Sequence, residues 1–147
     1  MIVYLDTSAF VKLVLDEPGD AAAREWFSQA RWAVSSVITY PESCSAVGRR
    51  SRYGDVDEGE LRRWTAELDE RWRRVVAVPV GAQQAGLLAL EHRLRGMDAV
   101  QLAAAVTFRT RVTATVPDEQ VVFAAFDRRL REAAEREGFA TLGGPPG

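Results

Sequence analysis

Four acidic side chains, Asp6, Glu42, Asp98 and Asp127, stand where predicted strands end or predicted helices begin. Each has a structural explanation when taken singly, because aspartate is a frequent helix N-cap and acids suit the first turn of a helix. Asp6 and Asp127, however, follow apolar runs, and Asp98 begins a helix that leads toward the second of those runs. Since ligands of open parallel sheets bind outside the carboxyl ends of the strands, the joint pattern predicts that these acids meet in one cleft.

A cluster of carboxylates in one cleft is typical of a site for a hard divalent cation. Two full negative charges about 4 Å apart repel by about 4 kcal/mol at an effective dielectric constant of roughly 20, so a folded protein needs protons or cations to offset them. Mg²⁺ binds a few carboxylates and keeps several waters, whereas the single histidine and single cysteine disfavour a zinc site. Such a cation can generate a hydroxide-like nucleophile from water and neutralise the negative charge on a phosphodiester while it reacts. The four acids leave open whether one ion or two would bind.

Short apolar runs alternate with helical patterns along the chain. The runs predict strands at Ile2–Leu5, Trp32–Ser35, Val75–Val78, Val121–Ala125 and Ala140–Leu142. The helical segments between them are about 10–18 residues long, the length that a crossover between parallel strands needs. We therefore expect an α/β fold, an α/β/α sandwich in which helices cover both faces of a central, mostly parallel sheet.

Periodic apolar residues predict the helices. Between residues 57 and 74, Leu61, Trp64, Leu68 and Trp72 recur at steps of three and four and form one apolar stripe. The other predicted helices lie near Ala21–Gln29, Ile38–Arg52, Ala82–Leu94, Asp98–Arg109 and Arg128–Glu137. The stretch Thr110–Asp118 is predicted to be a loop. His92, among charged neighbours, is expected at the surface.

Length and composition favour one domain. The chain has 147 residues, of which 47% are apolar and 27% charged, and it is expected to fold as a single domain over residues 1–142 with a flexible Gly/Pro-rich tail at 143–147. No apolar run is long enough for a membrane span, and no signal peptide is recognisable. The lone cysteine excludes an internal disulfide. We therefore expect a cytoplasmic protein without membrane contact.

The charge is close to neutral overall but unevenly distributed. A net charge of −2 argues against a protein that coats nucleic acid through bulk electrostatics. All the basic residues except Lys12 are arginines, whose forked guanidinium groups suit phosphate oxygens. Arg49, Arg50 and Arg52 form one cluster, which is a candidate for phosphate contact as well as an ordinary solvated helix face.

Four segments together resemble the PIN-domain ribonucleases. They are LDTSAFVKL at the N-terminus, YPESCSAV, RGMDAVQLAAAV and the late FDRRL, and their order fits nearly the whole chain. The likeness is greatest to the VapC-type toxins of toxin–antitoxin pairs. The resemblance implies an α/β/α sandwich, RNA cleavage that depends on Mg²⁺ or Mn²⁺, inhibition by a cognate antitoxin protein, and homodimerisation.

The resemblance also implies roles for particular residues. The acidic quartet of the family falls on Asp6, Glu42, Asp98 and Asp127, which would be both the metal ligands and the catalytic residues. Thr7 and Ser8 would support the site by binding a metal-bound water or by capping the helix, and Arg49, Arg50 and Arg52 become candidates to contact RNA.

Two positions depart from the family pattern. Ala125 stands where many relatives have a serine or threonine, which removes a polar contact near Asp127. Gln101 stands where many relatives have a histidine, and its side chain is expected to face the core or a helix interface.

Two other functions fit parts of the same pattern. A catalytically silent PIN-like binding module, in which the acids serve only as caps, is compatible with Ala125. A phosphatase with Asp6 as the aspartyl nucleophile fits less well, because such sites usually need a second acid where this chain has Ser8.

Overall fold

Five strands form one parallel sheet in the computed structural model, which describes residues 1–144. They are β1 (Ile2–Leu5), β2 (Trp32–Ser36), β3 (Val75–Val78), β4 (Val121–Ala124) and β5 (Ala140–Leu142). Their order across the sheet is β3-β2-β1-β4-β5, and all neighbouring strands run parallel. Every predicted strand is present, with bounds within one residue of the prediction.

Helices connect the strands and flank the sheet. They are α1 (Thr7–Val11), α2 (Asp20–Gln29), α3 (Thr39–Tyr53), α4 (Glu58–Trp72), α5 (Ala82–His92), α6 (Gly96–Thr115) and α7 (Arg128–Arg136). The predicted apolar stripe of α4 packs inward, with Leu68 fully buried and Trp72 in edge-to-face contact with Phe10.

Alternate strand residues face two separate apolar layers, because successive side chains of a strand point to opposite sides of the sheet. Ile2 and Tyr4 of β1 belong to a core shared with α5, α6 and α7. Val3 and Leu5 belong to a second core shared with α1, α2, α3 and α4. Helices therefore cover both faces, and the predicted α/β/α sandwich is confirmed.

The order of the strands reverses direction at β1. The chain moves from β1 outward through β2 to β3, and then returns to place β4 on the other side of β1. Leu5 at the end of β1 pairs with Ala124 at the end of β4, and the Asp6 N–H donates to the Ala124 carbonyl at 3.1 Å. The carboxyl ends of β1 and β4 thus open the crevice in which ligands of such sheets bind.

Helix α6 is longer than the sequence predicted. The predicted loop at Thr110–Asp118 is wrong, because α6 continues to Thr115 and packs Val106, Phe108 and Val112 against the core. The β-branched residues near its end lower intrinsic helix propensity, but burial of this apolar side compensates. The helix ends just before Pro117, and Val116 has left the α region with φ −129° and ψ 87°, because a following proline disfavours helical backbone.

The segment after β5 adjoins the sheet up to residue 144, where the described part of the chain ends. The backbone N–H of Ala125 donates to the Leu142 carbonyl at 3.0 Å, and Gly143 follows with a φ of 129°. A Cβ at Gly143 would lie 1.9 Å from the Ala125 carbonyl oxygen, so this position requires glycine. Of the predicted tail at 143–147, residues 145–147 lie outside the described part of the chain. Across residues 1–144, no helix has the length and apolarity that a bilayer span requires.

Candidate metal and RNA site

All four predicted acids line one cleft at the carboxyl end of the sheet. The cleft has a volume of about 420 Å³, and Asp6, Glu42, Asp98 and Asp127 reach it from four different segments. Its other polar lining residues are Thr7, Ser8, Arg49, Arg95 and Gln101. The four acids were predicted from the sequence to meet in one cleft, and they do line one cleft in the fold.

Asp6 combines a helix cap with a buried charge. Its Oδ1 accepts hydrogen bonds from the Ala9 N–H at 2.9 Å and from the Ser8 hydroxyl at 2.7 Å. Both bonds end on the same oxygen, so Oδ2 remains available to a ligand in the cleft. The side chain lies at the end of a central strand and the residue is only 5% exposed. Burial raises the pKa of Asp6 from 3.8 to about 7, against the two hydrogen bonds that lower it.

Ser8 fastens the ends of the two central strands to each other. While its hydroxyl donates to Asp6, its oxygen accepts the Phe126 N–H at 2.9 Å. Phe126 directly precedes Asp127, so a single side chain sets the spacing between the two segments that carry these acids. This function differs from both roles that the sequence allowed for Ser8, a metal-water contact or a helix cap.

Asp127 is the N-cap of α7. Its Oδ1 accepts the Leu130 N–H at 2.9 Å, and its side chain also borders the cleft. Ala125, two residues earlier, is fully buried in the core beside α7.

Asp98 does not cap its helix. Helix α6 begins at Gly96 after Arg95, and Asp98 is the third helical residue, with no cap bond to the backbone. The capping explanation offered by the sequence is therefore wrong for this residue. Its Oδ2 accepts a hydrogen bond from Arg95 Nε at 3.3 Å, and burial raises its pKa although the Arg95 guanidinium lowers it. Like Glu42, Asp98 lies in the first turn of a helix, where a carboxylate suits the helix dipole, but unlike Asp6 and Asp127 it makes no bond to the helix backbone.

Glu42 lies in the first turn of α3 and is held by polar side chains. Its Oε1 accepts the Thr7 hydroxyl at 2.6 Å and, more weakly, the Gln101 amide at 3.4 Å. Thr7 therefore orients a carboxylate and leaves the capping of α1 to Asp6.

Gln101 is a site residue that the sequence analysis underestimated. It is 3% exposed, as a core position should be, yet its amide reaches Thr7 and Glu42 in the cleft as well as Tyr4 and Thr39 in the interior. The sequence did contain a signal, because Gln101 is the single polar side chain inside the apolar run AVQLAAAV. A buried amide must find partners, so such a position indicates a polar network.

The donor set suits a hard cation. The cleft offers carboxylate and hydroxyl oxygens, and within residues 1–144 the only ion pair of the quartet is the one between Asp98 and the exposed Arg95. The buried Asp6 carboxyl, whose neighbours Asp98 and Asp127 further raise its pKa, lacks a basic partner there. A bound cation would offset that charge, and the residues present fit Mg²⁺ or Mn²⁺.

The closest cluster of metal-binding side chains lies elsewhere. Within the described residues, ligand atoms of three such groups approach within 4.8 Å only at Glu91, His92 and Glu137. No three carboxylates of the quartet meet this distance within residues 1–144, so a single small cation in the cleft would contact some of them only through waters, as Mg²⁺ commonly does.

His92 is not the surface residue that the sequence predicted. Its side chain is 5% exposed, and its Nε2 lies 2.7 Å from Glu137 Oε1. The contact joins the end of α5 to the end of α7, which explains why a histidine between charged neighbours is buried.

The three candidate arginines of α3 lie in different surroundings. Arg49 lines the cleft and also a neighbouring cavity, whereas Arg50 lines only the neighbouring cavity of the two and pairs with Glu17 at 3.4 Å. Arg52 is exposed, and among the described residues it is not part of the cleft lining. Of the three, Arg49 is thus the one placed to meet a substrate beside the acids.

A family model for the PIN domain matches residues 3–136. The chain belongs to the PIN-domain family. The resemblance seen in the four sequence segments is thereby confirmed, and the match includes all four cleft acids of this PIN domain.

Curated relatives match over almost their whole length. The PIN domain is 37% identical over 140 residues to Ribonuclease VapC45 of Mycobacterium tuberculosis (strain CDC 1551 / Oshkosh), covering 93% of this chain and 92% of that protein. The same values apply to Ribonuclease VapC49 of M. tuberculosis (strain ATCC 25618 / H37Rv). Ribonuclease VapC47 of the first strain is 29% identical over 147 residues, with 95% of each chain covered.

A solved structure shares the fold of this PIN domain. The crystal structure of PAE2754 from Pyrobaculum aerophilum superposes with a TM-score of 0.63 at 17% identity, covering 96% of this chain and 83% of that one. At that level of identity the likeness bears on the fold alone.

Proposed function

We propose that this PIN-domain protein is a metal-dependent endoribonuclease that acts as the toxin of a toxin–antitoxin pair. The observation that carries the proposal is the convergence of four carboxylates from separate segments, including Asp98, which caps nothing. The ribonuclease names of its relatives at 37% identity support the same activity.

In this proposal the four acids are the catalytic residues and hold Mg²⁺ or Mn²⁺. When bound, the cation supplies activation of water and neutralises charge that develops on the phosphodiester. Asp6 and Asp98 are the principal ligands, because Asp6 is buried without a basic partner among residues 1–144, and the Asp98 side chain makes no cap bond and pairs with an exposed arginine that a cation could replace. Glu42 and Asp127 complete the site directly or through waters.

The remaining side chains position the acids and the substrate. Thr7 donates to Glu42, and Ser8 fixes Asp6 against the backbone before Asp127. Arg49 and Arg95, at the rim of the cleft, are exposed cations that attract the RNA backbone. In this proposal an RNA phosphate lies between the two rim arginines and the four acids.

The partners follow from the likeness to VapC-type toxins. We assign a cognate antitoxin protein as inhibitor, a homodimer as the assembly and the cytoplasm as the place of action. The exposed Leu87 and Leu90 of α5 offer apolar surface for such contacts. Light scattering on the purified protein, alone and with the antitoxin, measures both assemblies.

Metal removal tests the activity most directly. Purified antitoxin-free protein, incubated with total RNA, is expected to cut at discrete positions in Mg²⁺ or Mn²⁺ and to stop in EDTA, with cleavage restored when excess metal is added back. Sequencing of the new ends maps the sites. Cleavage that persists in EDTA would remove the metal from the mechanism, and intact RNA in every condition would favour the silent binding module.

The same preparation separates the phosphatase alternative. An aspartyl nucleophile takes up beryllofluoride as a phosphoryl mimic, but Ser8 stands where such sites usually need a second acid, and its hydroxyl donates to Asp6. We therefore expect no uptake on Asp6, and a labelled Asp6 would overturn the nuclease assignment.

The rim arginine can be tested with a matched neighbour. Arg49→Ala is expected to raise KM for RNA about two- to fivefold, the size of one exposed charge contact, while kcat stays nearly constant. Arg52→Ala on the same helix removes an equal charge outside the cleft and is expected to leave KM unchanged. Steady-state cleavage of a fluorescent RNA at two salt concentrations measures the difference, and equal effects of the two variants would show that only net charge matters.

A further inference from the structure

The amide of Gln101 has one orientation that the surrounding charges allow. Its Oε1 accepts the Tyr4 hydroxyl at 2.7 Å in the interior, and its Nε2 faces Thr7 at 3.0 Å and Glu42 Oε1 at 3.4 Å in the cleft. A flipped amide would set its carbonyl oxygen against Glu42 Oε1, which already accepts the Thr7 hydroxyl, so that two acceptor oxygens would face each other. Tyr4 supplies the donor that keeps the carbonyl turned inward.

The two amide hydrogens then fix the direction of the neighbouring hydroxyls. One goes to Thr7 Oγ1, so the Thr7 hydroxyl is free to donate its own hydrogen to Glu42 Oε1 at 2.6 Å. The Gln101 amide donates to the Thr7 oxygen and thereby strengthens the hydrogen bond that Thr7 donates to Glu42, because successive hydrogen bonds polarise one another.

The second amide hydrogen leads back to the central strand. It goes to Thr39 Oγ1 at 2.9 Å, and Ser35 lies 2.7 Å from the same oxygen. Ser35 has one hydroxyl hydrogen, which it donates to the Leu5 carbonyl at 2.6 Å, so Thr39 donates to Ser35 in their contact. The chain of hydroxyls ends on Leu5, the residue before Asp6, and thus connects Gln101 to the strand that carries the buried acid.

We propose that Gln101 is a positioning residue that aims the Glu42 carboxylate and holds it in register with Asp6, so that the two acids present a preformed pair of ligands to the cation. The inference rests on the proposed function of the cleft and deepens it. Gln101 touches neither the cation nor the RNA in this scheme, and it acts through Thr7, Thr39 and Glu42. Outer partners that orient metal ligands in this way typically contribute ten- to a hundredfold to metal affinity or activity.

The test compares two substitutions on one helix. Gln101→Met keeps the length of the side chain and removes every hydrogen bond, whereas Thr107→Val removes the 2.7 Å bond from Thr107 to Gln84, away from the cleft. Mn²⁺ affinity of the full chain is measured by calorimetry, RNA cleavage by kcat and KM, and folding by thermal unfolding in EDTA. We expect Gln101→Met to weaken Mn²⁺ binding about tenfold or more and to lower kcat by a similar factor, with KM for RNA nearly unchanged. Thr107→Val should leave the three binding and kinetic quantities at the parent values.

A second substitution reaches the amide from the opposite side. Tyr4→Phe deletes only the hydroxyl that donates to the Gln101 carbonyl, so the amide loses the bond that anchors it on the core side and is held less firmly against Thr7 and Glu42. We expect this variant to lose Mn²⁺ affinity as well, but less than Gln101→Met does. Tyr4 itself is fully buried on the core side of Gln101, so it cannot contact the metal. A purely structural role for Gln101 would not transmit this change to the metal.

The outcomes separate the two proposals. If the parent protein cleaves RNA and Gln101→Met matches Thr107→Val in Mn²⁺ affinity and kcat, the positioning role is wrong and the nuclease assignment stands. If the parent binds Mn²⁺ without cleaving RNA, the proposed function is wrong and the Mn²⁺ affinities of the variants alone decide the positioning role. A parent protein that binds no Mn²⁺ overturns both.

Discussion

Asp98→Asn is expected to abolish metal-dependent RNA cleavage, with kcat lowered at least about a hundredfold, because loss of a ligand should cost no less than loss of a partner that orients one. The substitution keeps the shape of the side chain and removes its charge. Asp98 forms no cap in α6, and among residues 1–144 its one ion pair is with the exposed Arg95, so the fold should tolerate the change. Cleavage of a labelled RNA in Mg²⁺ measures kcat, and thermal unfolding in EDTA checks that the protein remains folded.

A surface aspartate provides the control for this loss. Asp118→Asn makes the same chemical change at an exposed turn outside the cleft and should retain the parent kcat. If Asp98→Asn cut RNA at the parent rate, this carboxylate would have no part in the reaction, and the nuclease proposal would lose the residue that supports it best.

Asp6→Asn is expected to stabilise the metal-free protein while it eliminates activity. Burial raises the pKa of Asp6 from 3.8 to about 7, so between those pH values the folded protein holds a proton that the unfolded chain has released. The free energy of unfolding therefore falls as pH rises through this window and stays lower above it. A shift of about 3 units corresponds to roughly 4 kcal/mol as a ceiling, and we expect a gain of about 2–4 kcal/mol for the variant at pH 8.

Urea denaturation in EDTA from pH 4.5 to pH 8.5 measures this effect. The parent protein should lose stability across the series and Asp6→Asn should lose much less, since asparagine also caps α1 through Ala9 without a charge. Asp57→Asn replaces an exposed cap on α4 and should change stability little at any pH. Added Mn²⁺ should raise the free energy of unfolding of the parent protein at high pH but not that of Asp6→Asn. A variant less stable than the parent at pH 8 would show that the buried charge carries no penalty.

The sequence was sufficient for the architecture because its local signals agree with each other. Short β-branched runs such as Val75–Val78 have no helical period, and the stripe through Leu68 has no strand period, so each segment favours one structure. The carboxyl ends of parallel strands lie at one edge of the sheet, and this rule alone was enough to predict that Asp6 and Asp127 line the same cleft.

The errors arose where distant packing overrides local preference. Thr110 and Thr113 are poor helix formers, but their hydroxyls bond to carbonyls one turn back while Val112 packs on the core. His92 is buried by a partner 45 residues away, which no local pattern identifies. The partners of Gln101 come from β1, α1 and α3, so its role depends on the completed fold.

The double use of Asp6 and Asp127 changes how other sequences of this kind should be compared. Each gives one oxygen to the start of a helix, but the buried charge of Asp6 lowers the stability of the metal-free protein, and asparagine would cap the same helix without a charge. A descendant that had lost its enzymatic ability would therefore gain stability from keeping Asp127 but not from keeping Asp6, and the presence of Asp127 is weak evidence of an active nuclease. Asp98 brings no such benefit, and in a chain that has drifted away from catalysis it should be among the first acids to disappear.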